Sequence, residues 1–164
     1  MIYFVTMEKR IYSQTFGVVA AIIERSGKFL LVKEAHTDSG EDGQWNHPAG
    51  WIEVGEDPID AIIREVKEET GFDFEPTHIL GLYSLVKKDT DPIRHPLKIV
   101  FTGEISGEQD GLADDVSEIG WFSPHEIEGM DNSTLRDMDI KKMIDDYVEI
   151  ERYSLGLLEH TVVE

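Results

Sequence analysis

The stretch from Asp57 to Gly71 carries both ends of a helix with an apolar stripe between them, and it constrains the rest of the chain more than any other segment. Asp57 followed by Pro58 reads as a cap and first helical residue, and Gly71 falls just past the last turn. Ile59, Ile62, Ile63 and Val66 recur at i, i+3, i+4 and i+7, so one face is apolar and must lie on a core. The flanking segments supply a sheet to lie on. Phe16 to Ile23 and Lys28 to Lys33 are apolar, β-branched runs around a tight turn at Arg25, Ser26 and Gly27. Such continuous runs predict strands buried on both faces. A polar loop over 36–43 precedes a short strand predicted over Gln44 to Ala49 and stopped by Pro48. Further strands are predicted at His78 to Val86, Leu97 to Ile105 and Ile119 to Phe122, the last after an acidic, glycine-bearing loop from Gly107 to Asp115. Pro124 opens a helical turn, and Leu135, Met138, Ile144, Tyr147 and Val148 suggest a final amphipathic helix. The expectation is an α/β chain with a mixed sheet between helices. Its 164 residues suit a single domain, with a core from about residue 12 to about 150 and a short C-terminal tail.

At about 100° per residue, Glu65, Glu68 and Glu69 share an arc that flanks the apolar stripe of the predicted helix. Like charges at i, i+3 and i+4 repel by a few tenths of a kcal/mol each, and by more where water is excluded. A shared positive charge would relieve them. Carboxylate oxygens select hard divalent ions, and Mg²⁺ prefers a few carboxylates completed by water and phosphate oxygens. Solvated decoration is the plain alternative in a chain with 34 acidic and 15 basic residues, a formal charge of −19. That charge disfavours a nucleic-acid duplex or an anionic membrane as partner. With no cysteine, disulfides and thiolate metal sites are excluded, so any metal rests on oxygen or imidazole. The N-terminal charges follow the apolar residues, the reverse of a secretory signal, and a cytoplasmic location is expected.

From Gly50 the chain reads GWIEVGEDPIDAIIREVKEETGF. This resembles the Nudix box, with Gly50, Glu56, Arg64, Glu65, Val66, Glu68, Glu69, Gly71 and Phe72 at its defining positions and no departure. At average residue usage such a match arises by chance with a probability on the order of 10⁻⁹ at a given start. The resemblance implies the Nudix fold, an α/β/α sandwich with a mixed β-sheet. It also implies metal-dependent hydrolysis of a phosphoanhydride in a nucleoside diphosphate-X, a nucleoside triphosphate or a related diphosphate. Carried over by position, Glu65 and Glu69 become the chief ligands of Mg²⁺, or of Mn²⁺ in its place. Glu68 completes the acidic cluster, and the carbonyl of Ala49 is a further ligand. Arg64 joins the catalytic set by pairing with Glu56, while Gly50, Glu56 and Gly71 support the site.

A phosphoanhydride needs its charge neutralised and a water activated for in-line attack, tasks a bound Mg²⁺ and a nearby carboxylate divide. In the family that carboxylate often precedes the last core strand. Here Asp115 aligns best, Glu118 is second, and a member of the helix cluster is third. The downstream Pro of many ADP-ribose hydrolases would fall near Lys87 and is missing, as is the Tyr of many dinucleoside-polyphosphate hydrolases near Lys88 or Asp89. The run from Trp45 to Gly50, with Pro-Ala-Gly, resembles a branch that includes broad nucleoside tri- and diphosphatases and a thiamine-precursor pyrophosphatase, although Trp51 stands where that branch usually has His. Trp45 and Trp51 bracket the start of the box, where they either stack on a substrate base or pack in the core. Arg94 belongs to a basic patch with Lys87, Lys88, His95 and Lys98 that either meets substrate phosphates or is simply solvated. His47 reads as a hydrogen-bonded strand residue. A small-molecule nucleotide is the expected partner, with a homodimer as a candidate assembly. The alternatives are a non-catalytic Nudix-fold nucleotide-binding regulator, which would usually have lost box carboxylates, and a calcium-binding acidic protein, for which the loops lack the required ligand pattern.

Overall fold

The computed structural model describes residues 15–35, 43–86, 95–136 and 139–163, with backbone alone for residues 15, 16 and 139. Strand β1 (Thr15–Arg25) turns through Ser26 and Gly27 into β2 (Lys28–Glu34). Both turn residues have positive φ, 55° and 76°, the backbone hand that matches the twist of paired strands. The two strands pair only at Glu24–Phe29 and Arg25–Lys28 and then diverge. The resulting fork is filled by the chain that follows. Strand β3 (Trp45–Asn46) pairs with β2 through Asn46–Val32 and Trp45–Lys33, and β4 (Ala49–Trp51) pairs with β1 through Ala49–Ala20, Gly50–Val19 and Trp51–Val18. One strand from Gln44 to Ala49 was the expectation. It divides at His47 and Pro48 because proline has no N–H to give a ladder; its carbonyl accepts from Ala21 instead, at 2.9 Å.

Helix α1 (Pro58–Thr70) then crosses one face, capped at its start by Asp57, whose side chain accepts from the Ile59 amide, and ended by Gly71 at φ 75°. Strand β5 (Asp73–Ser84) pairs antiparallel with β6 (His95–Ser106), and β6 runs parallel to β1, so the sheet is mixed. β5 begins five residues before the expected His78. Pro76, which argues against a strand, is accommodated by a register shift between Pro76 and His78. Strand β7 (Val116–Phe122) covers the other side of β2. Helices α2 (Pro124–Gly129) and α3 (Asp139–Glu149) lie on the second face. Leu135, expected in the last helix, precedes it and bridges to Trp45, Val148 is exposed, and Met138 lies outside the described residues.

Alternation along β1 explains the two-sided core. Val19, Ala21 and Ile23 pack with Leu30, Phe101 and with Ala61, Ile62 and Val66 of α1, while Ala20 and Ile22 pack with Leu31, Val100, Ile127, Ile140, Met143 and Ile144. Ile63 of the predicted stripe is 37 % exposed, and Ala61 takes its place against the sheet. Residues past 150 extend the fold rather than trailing from it: β8 (Tyr153–Ser154) adds to β5 at His78 and Ile79, and Leu155 and Leu158 pack on the α1-side core. Among the described residues no helix is long and apolar enough to cross a membrane.

Candidate active site

The acidic arc of α1 lies over the fork at β4. In an antiparallel ladder, residues alternate between exchanging both bonds and exchanging none. Ala21 bonds Pro48 and the Ile52 amide bonds Gly17, so the N–H and C=O of Ala49 and Trp51 face away from β1. The Ala49 N–H donates to Glu69 Oε2 at 2.9 Å, and the C=O of the same residue, on the same side of the strand, is turned toward α1 with it. Glycine is required next door. A Cβ on Gly50 would lie 2.1 Å from Glu65 Cδ, so the Glu65 carboxylate occupies the space a side chain would need. Ala49, Gly50, Glu65 and Glu69 therefore meet in one place.

Arg64 ties this corner together. Its Nε and Nη2 donate to the two carboxylate oxygens of Glu56 at 2.8 and 3.0 Å, Nη2 also reaches the Trp51 carbonyl at 3.1 Å, and Nη1 bridges Glu65 at 2.7 Å and Glu68 at 3.3 Å. The Glu56 carboxyl is held below its ordinary range chiefly by the hydrogen bond from Arg64, and the guanidinium is correspondingly harder to deprotonate. Glu65 is pushed up, mainly by burial and against the pull of Arg64. Glu69 is pushed well above the carboxylate range by burial first, then by the charges of Glu65, Glu34 and Asp115, despite the bond from Ala49. Glu68 is the most exposed of the three.

The acidic loop is docked on the end of α1. The Ala113 amide donates to the Glu68 carbonyl at 2.9 Å, and a Cβ on Gly71 would meet Asp110 N and Gly111 O, each at 2.6 Å. Beyond it, Ala35 N–H donates to the Asp115 carbonyl at 2.7 Å, joining the loop to the end of β2. This brings Asp115 into the field of Glu69. Glu118 is not brought there. Ile119 and Trp121 pack on the α1-side core and Phe122 on the opposite one, so Glu118, in step with Phe122, faces the α2 and α3 side and pairs with Lys33 at 3.4 Å.

Trp45 packs edge-on against Phe122 with ring centroids 4.8 Å apart, beneath Lys33, which makes it a core residue. Trp51 is half exposed. Arg94, Lys87 and Lys88 lie outside the described residues, and Lys98 is buried in β6 rather than part of a solvated patch. His47 is buried with Nε2 3.4 Å from the Ile140 carbonyl, and its pKa is lowered to about 3, first by burial and then by Lys98, so the ring is neutral at pH 7. Sequence reasoning missed Glu34 and Arg136, which form a 2.6 Å ion pair at the mouth of the fork. They are 102 residues apart, and no local spacing signals the contact.

Among the described residues no group of three or more carboxylate or imidazole side chains is placed to hold a metal ion by itself. The donors present still suit a hard divalent ion. Glu65, Glu69 and the Ala49 carbonyl are all oxygen, two of them are carboxylates whose negative form is disfavoured by burial, and an incomplete protein shell is what Mg²⁺ uses when water and phosphate supply the rest. A cation is already shared across part of the cluster, in the form of the Arg64 guanidinium.

The family model of the NUDIX domain matches residues 14–147. A protein of Methanocaldococcus jannaschii named ADP-ribose pyrophosphatase is 33% identical over 139 residues, covering 85% of this chain and 76% of its own. Phosphatase NudJ of Escherichia coli K12 is 31% identical over 140 residues, 85% of this chain and 88% of that protein. Among solved structures, a NUDIX hydrolase from Nitrosomonas europaea superposes with a TM-score of 0.81 at 32% identity, covering 90% of this chain and 98% of that one.

Proposed function

This chain belongs to the NUDIX family, and we propose that it cuts the phosphoanhydride of a nucleoside diphosphate-X with the help of Mg²⁺. It is a Nudix pyrophosphohydrolase acting on nucleotide diphosphate substrates. The observation that carries the catalytic reading is the meeting of Glu65 and Glu69 at the Ala49–Gly50 peptide. A regulator that only binds nucleotide has no use for two carboxylates kept out of water at such cost.

Glu65, Glu69 and the Ala49 carbonyl would hold the cation, with Mn²⁺ able to replace Mg²⁺. The ion supplies charge neutralisation for the diphosphate and makes water more acidic. The chain's own residues do the rest. Arg64 clamps Glu56 and the Trp51 carbonyl, fixing the loop over 52–56 against α1 so that Ala49 and Gly50 stay registered with the glutamates. Asp115 Oδ takes the proton of the attacking water, a role supported by its position beside Glu69 on an anchored loop. Glu118 is the second candidate, and its pairing with Lys33 on the other face weighs against it. The half-exposed Trp51 is the remaining candidate to stack on a base, and Arg94, outside the described residues, stays the candidate phosphate contact. One domain, a cytoplasmic location and homodimer formation complete the reading.

The group X is the open variable. The Methanocaldococcus relative is named for ADP-ribose, yet the Pro that marks many such enzymes is replaced near Lys87. Incubating the protein and Mg²⁺ with ADP-ribose, nucleotide sugars, dinucleoside polyphosphates, nucleoside tri- and diphosphates and thiamine-type diphosphates, with products read by mass, tests the proposal. Cleavage of at least one diphosphate between its phosphorus atoms is expected. A panel with no cleavage, alongside tight nucleotide binding, would favour the regulator instead.

A further inference from the structure

Five acidic residues, Glu34, Glu65, Glu68, Glu69 and Asp115, lie about the corner where a diphosphate would enter, a setting poor in positive charge for an anionic substrate. Cations are needed to hold the substrate, and among the described residues two arginines, Arg64 and Arg136, pair with members of this acidic group. Arg64 is committed to its own side: four hydrogen bonds tie it to Glu56, Glu65 and Glu68, and a fifth to the Trp51 carbonyl. Arg136 stands on the other side. Its backbone N–H donates to the Trp45 carbonyl at 2.9 Å, so the residue is stitched to the outer edge of β3, within the short run that leads to Ala49. Its Nη1 is 2.6 Å from Oε1 of Glu34, which is 5 % exposed and sits at the bulge where β2 leaves β7. The next residue, Ala35, is bonded to Asp115, and the Glu34 amide donates to the Gln44 carbonyl at 3.0 Å. The charge of Glu34 in turn reaches Glu69. Glu34 thus holds one nitrogen of the guanidinium beside the cluster while Trp45 holds the Arg136 backbone, and the side chain stays 30 % exposed.

A buried Glu–Arg pair is a poor source of stability, because desolvation offsets most of the attraction. A fixed, planar, part-exposed guanidinium is a good receptor for phosphate oxygens. We propose that Arg136 binds a phosphate of the diphosphate substrate across the fork from Glu65 and Glu69, with Glu34 as the positioning residue that holds the guanidinium in place. The inference rests on the diphosphate reading above and adds a contact that the box does not contain. Because this contact is made to the substrate before and during reaction alike, its loss weakens binding and leaves turnover nearly intact.

The test removes both members of the pair at once, so that no buried charge is left unpaired: Arg136→Met with Glu34→Gln, beside Arg136→Lys alone. Affinity for α,β-methylene-ADP with Mg²⁺ is measured by calorimetry, together with Tm and with kcat on the best diphosphate of the panel. The double variant should keep its Tm within about 3 °C, bind at least ~10-fold more weakly than wild type, and change kcat by less than ~3-fold. The lysine variant should fall between, since it keeps the charge and loses the fork. If the pair is only structural, the double variant binds as wild type does, and the proposal is overturned. Collapse of kcat at unchanged affinity overturns it too. If wild type binds and cleaves no diphosphate, the functional reading itself has failed and Arg136 falls with it, a result distinct from normal wild-type behaviour with an unaffected variant.

Discussion

At the scale of single residues, the site sets stability against function. Glu69 is 9 % exposed and charged at neutral pH only at a cost, because burial and three neighbouring acids oppose its ionisation. Glu69→Gln keeps the shape and an oxygen for the Ala49 amide. It should lower kcat ~10²-fold or more while raising the Tm of the cation-free protein at pH 8. Loss below about threefold in a matched rate assay would remove Glu69 from the machinery. Arg64 behaves in the opposite sense, since Glu56 depends on it. Arg64→Ala should destabilise by about 2–3 kcal/mol in denaturant melts, toward the low end for a broken buried pair because both groups keep some water contact, and activity should fall as well. A normal melt with normal activity would reject the clamp. The proton acceptor is tested by comparing Asp115→Asn with Glu118→Gln. The asparagine variant should lose ~10²-fold in kcat with recovery at high pH, and the glutamine variant should stay near wild type. The reverse result would move the role to Glu118.

At the scale of elements, the helix was legible because its signals are local: cap, proline, apolar stripe and terminal glycine all lie within Asp57 to Gly71. The two-sided sheet was legible for the same reason, since a run such as Val19 to Ile23 has no polar face to show water. What could not be read depends on partners far along the chain. The fork that splits β3 from β4, the register shift at Pro76, the return of β8 and the Glu34–Arg136 pair are each fixed by a tertiary neighbour rather than by spacing. The box glutamates were named by resemblance, whereas the reason for Gly50, a carboxylate lying where its Cβ would be, is visible only in three dimensions. Gly71→Ala tests how elements and site are joined. The left-handed φ of 75° and the 2.6 Å contacts with the acidic loop should together cost more than the ~1–2 kcal/mol of the backbone strain alone. The loop that bears Asp115 should be displaced, so activity should fall in step with the denaturation midpoint; unchanged values of both would mean the loop is not docked on α1.

At the scale of the whole molecule, a formal charge of −19 is focused in part on a few carboxylates that the fold keeps from water. Glu65 and Glu69 have folded pKa values raised above their unfolded ones, so the stability linked to them is full below the unfolded value and is lost as pH rises through the folded values. Without divalent ions, Tm should fall as pH rises above the ordinary carboxylate range, and general charge repulsion acts in the same direction. Millimolar Mg²⁺ should flatten that slope, because an ion bound only to the folded state stabilises it. A Tm that rises over this window without Mg²⁺ would contradict the assignment of buried, uncompensated carboxylates. The central claim is that these carboxylates exist to place a cation on a diphosphate. The most direct measurement is the rate of diphosphate cleavage for wild type and Glu69→Gln across a Mg²⁺ titration begun in EDTA. Wild type should be inactive in EDTA and rise to saturation, while the variant stays at about 1% or less of that plateau throughout. Undiminished wild-type turnover in EDTA, or a variant that reaches the same plateau, would contradict it.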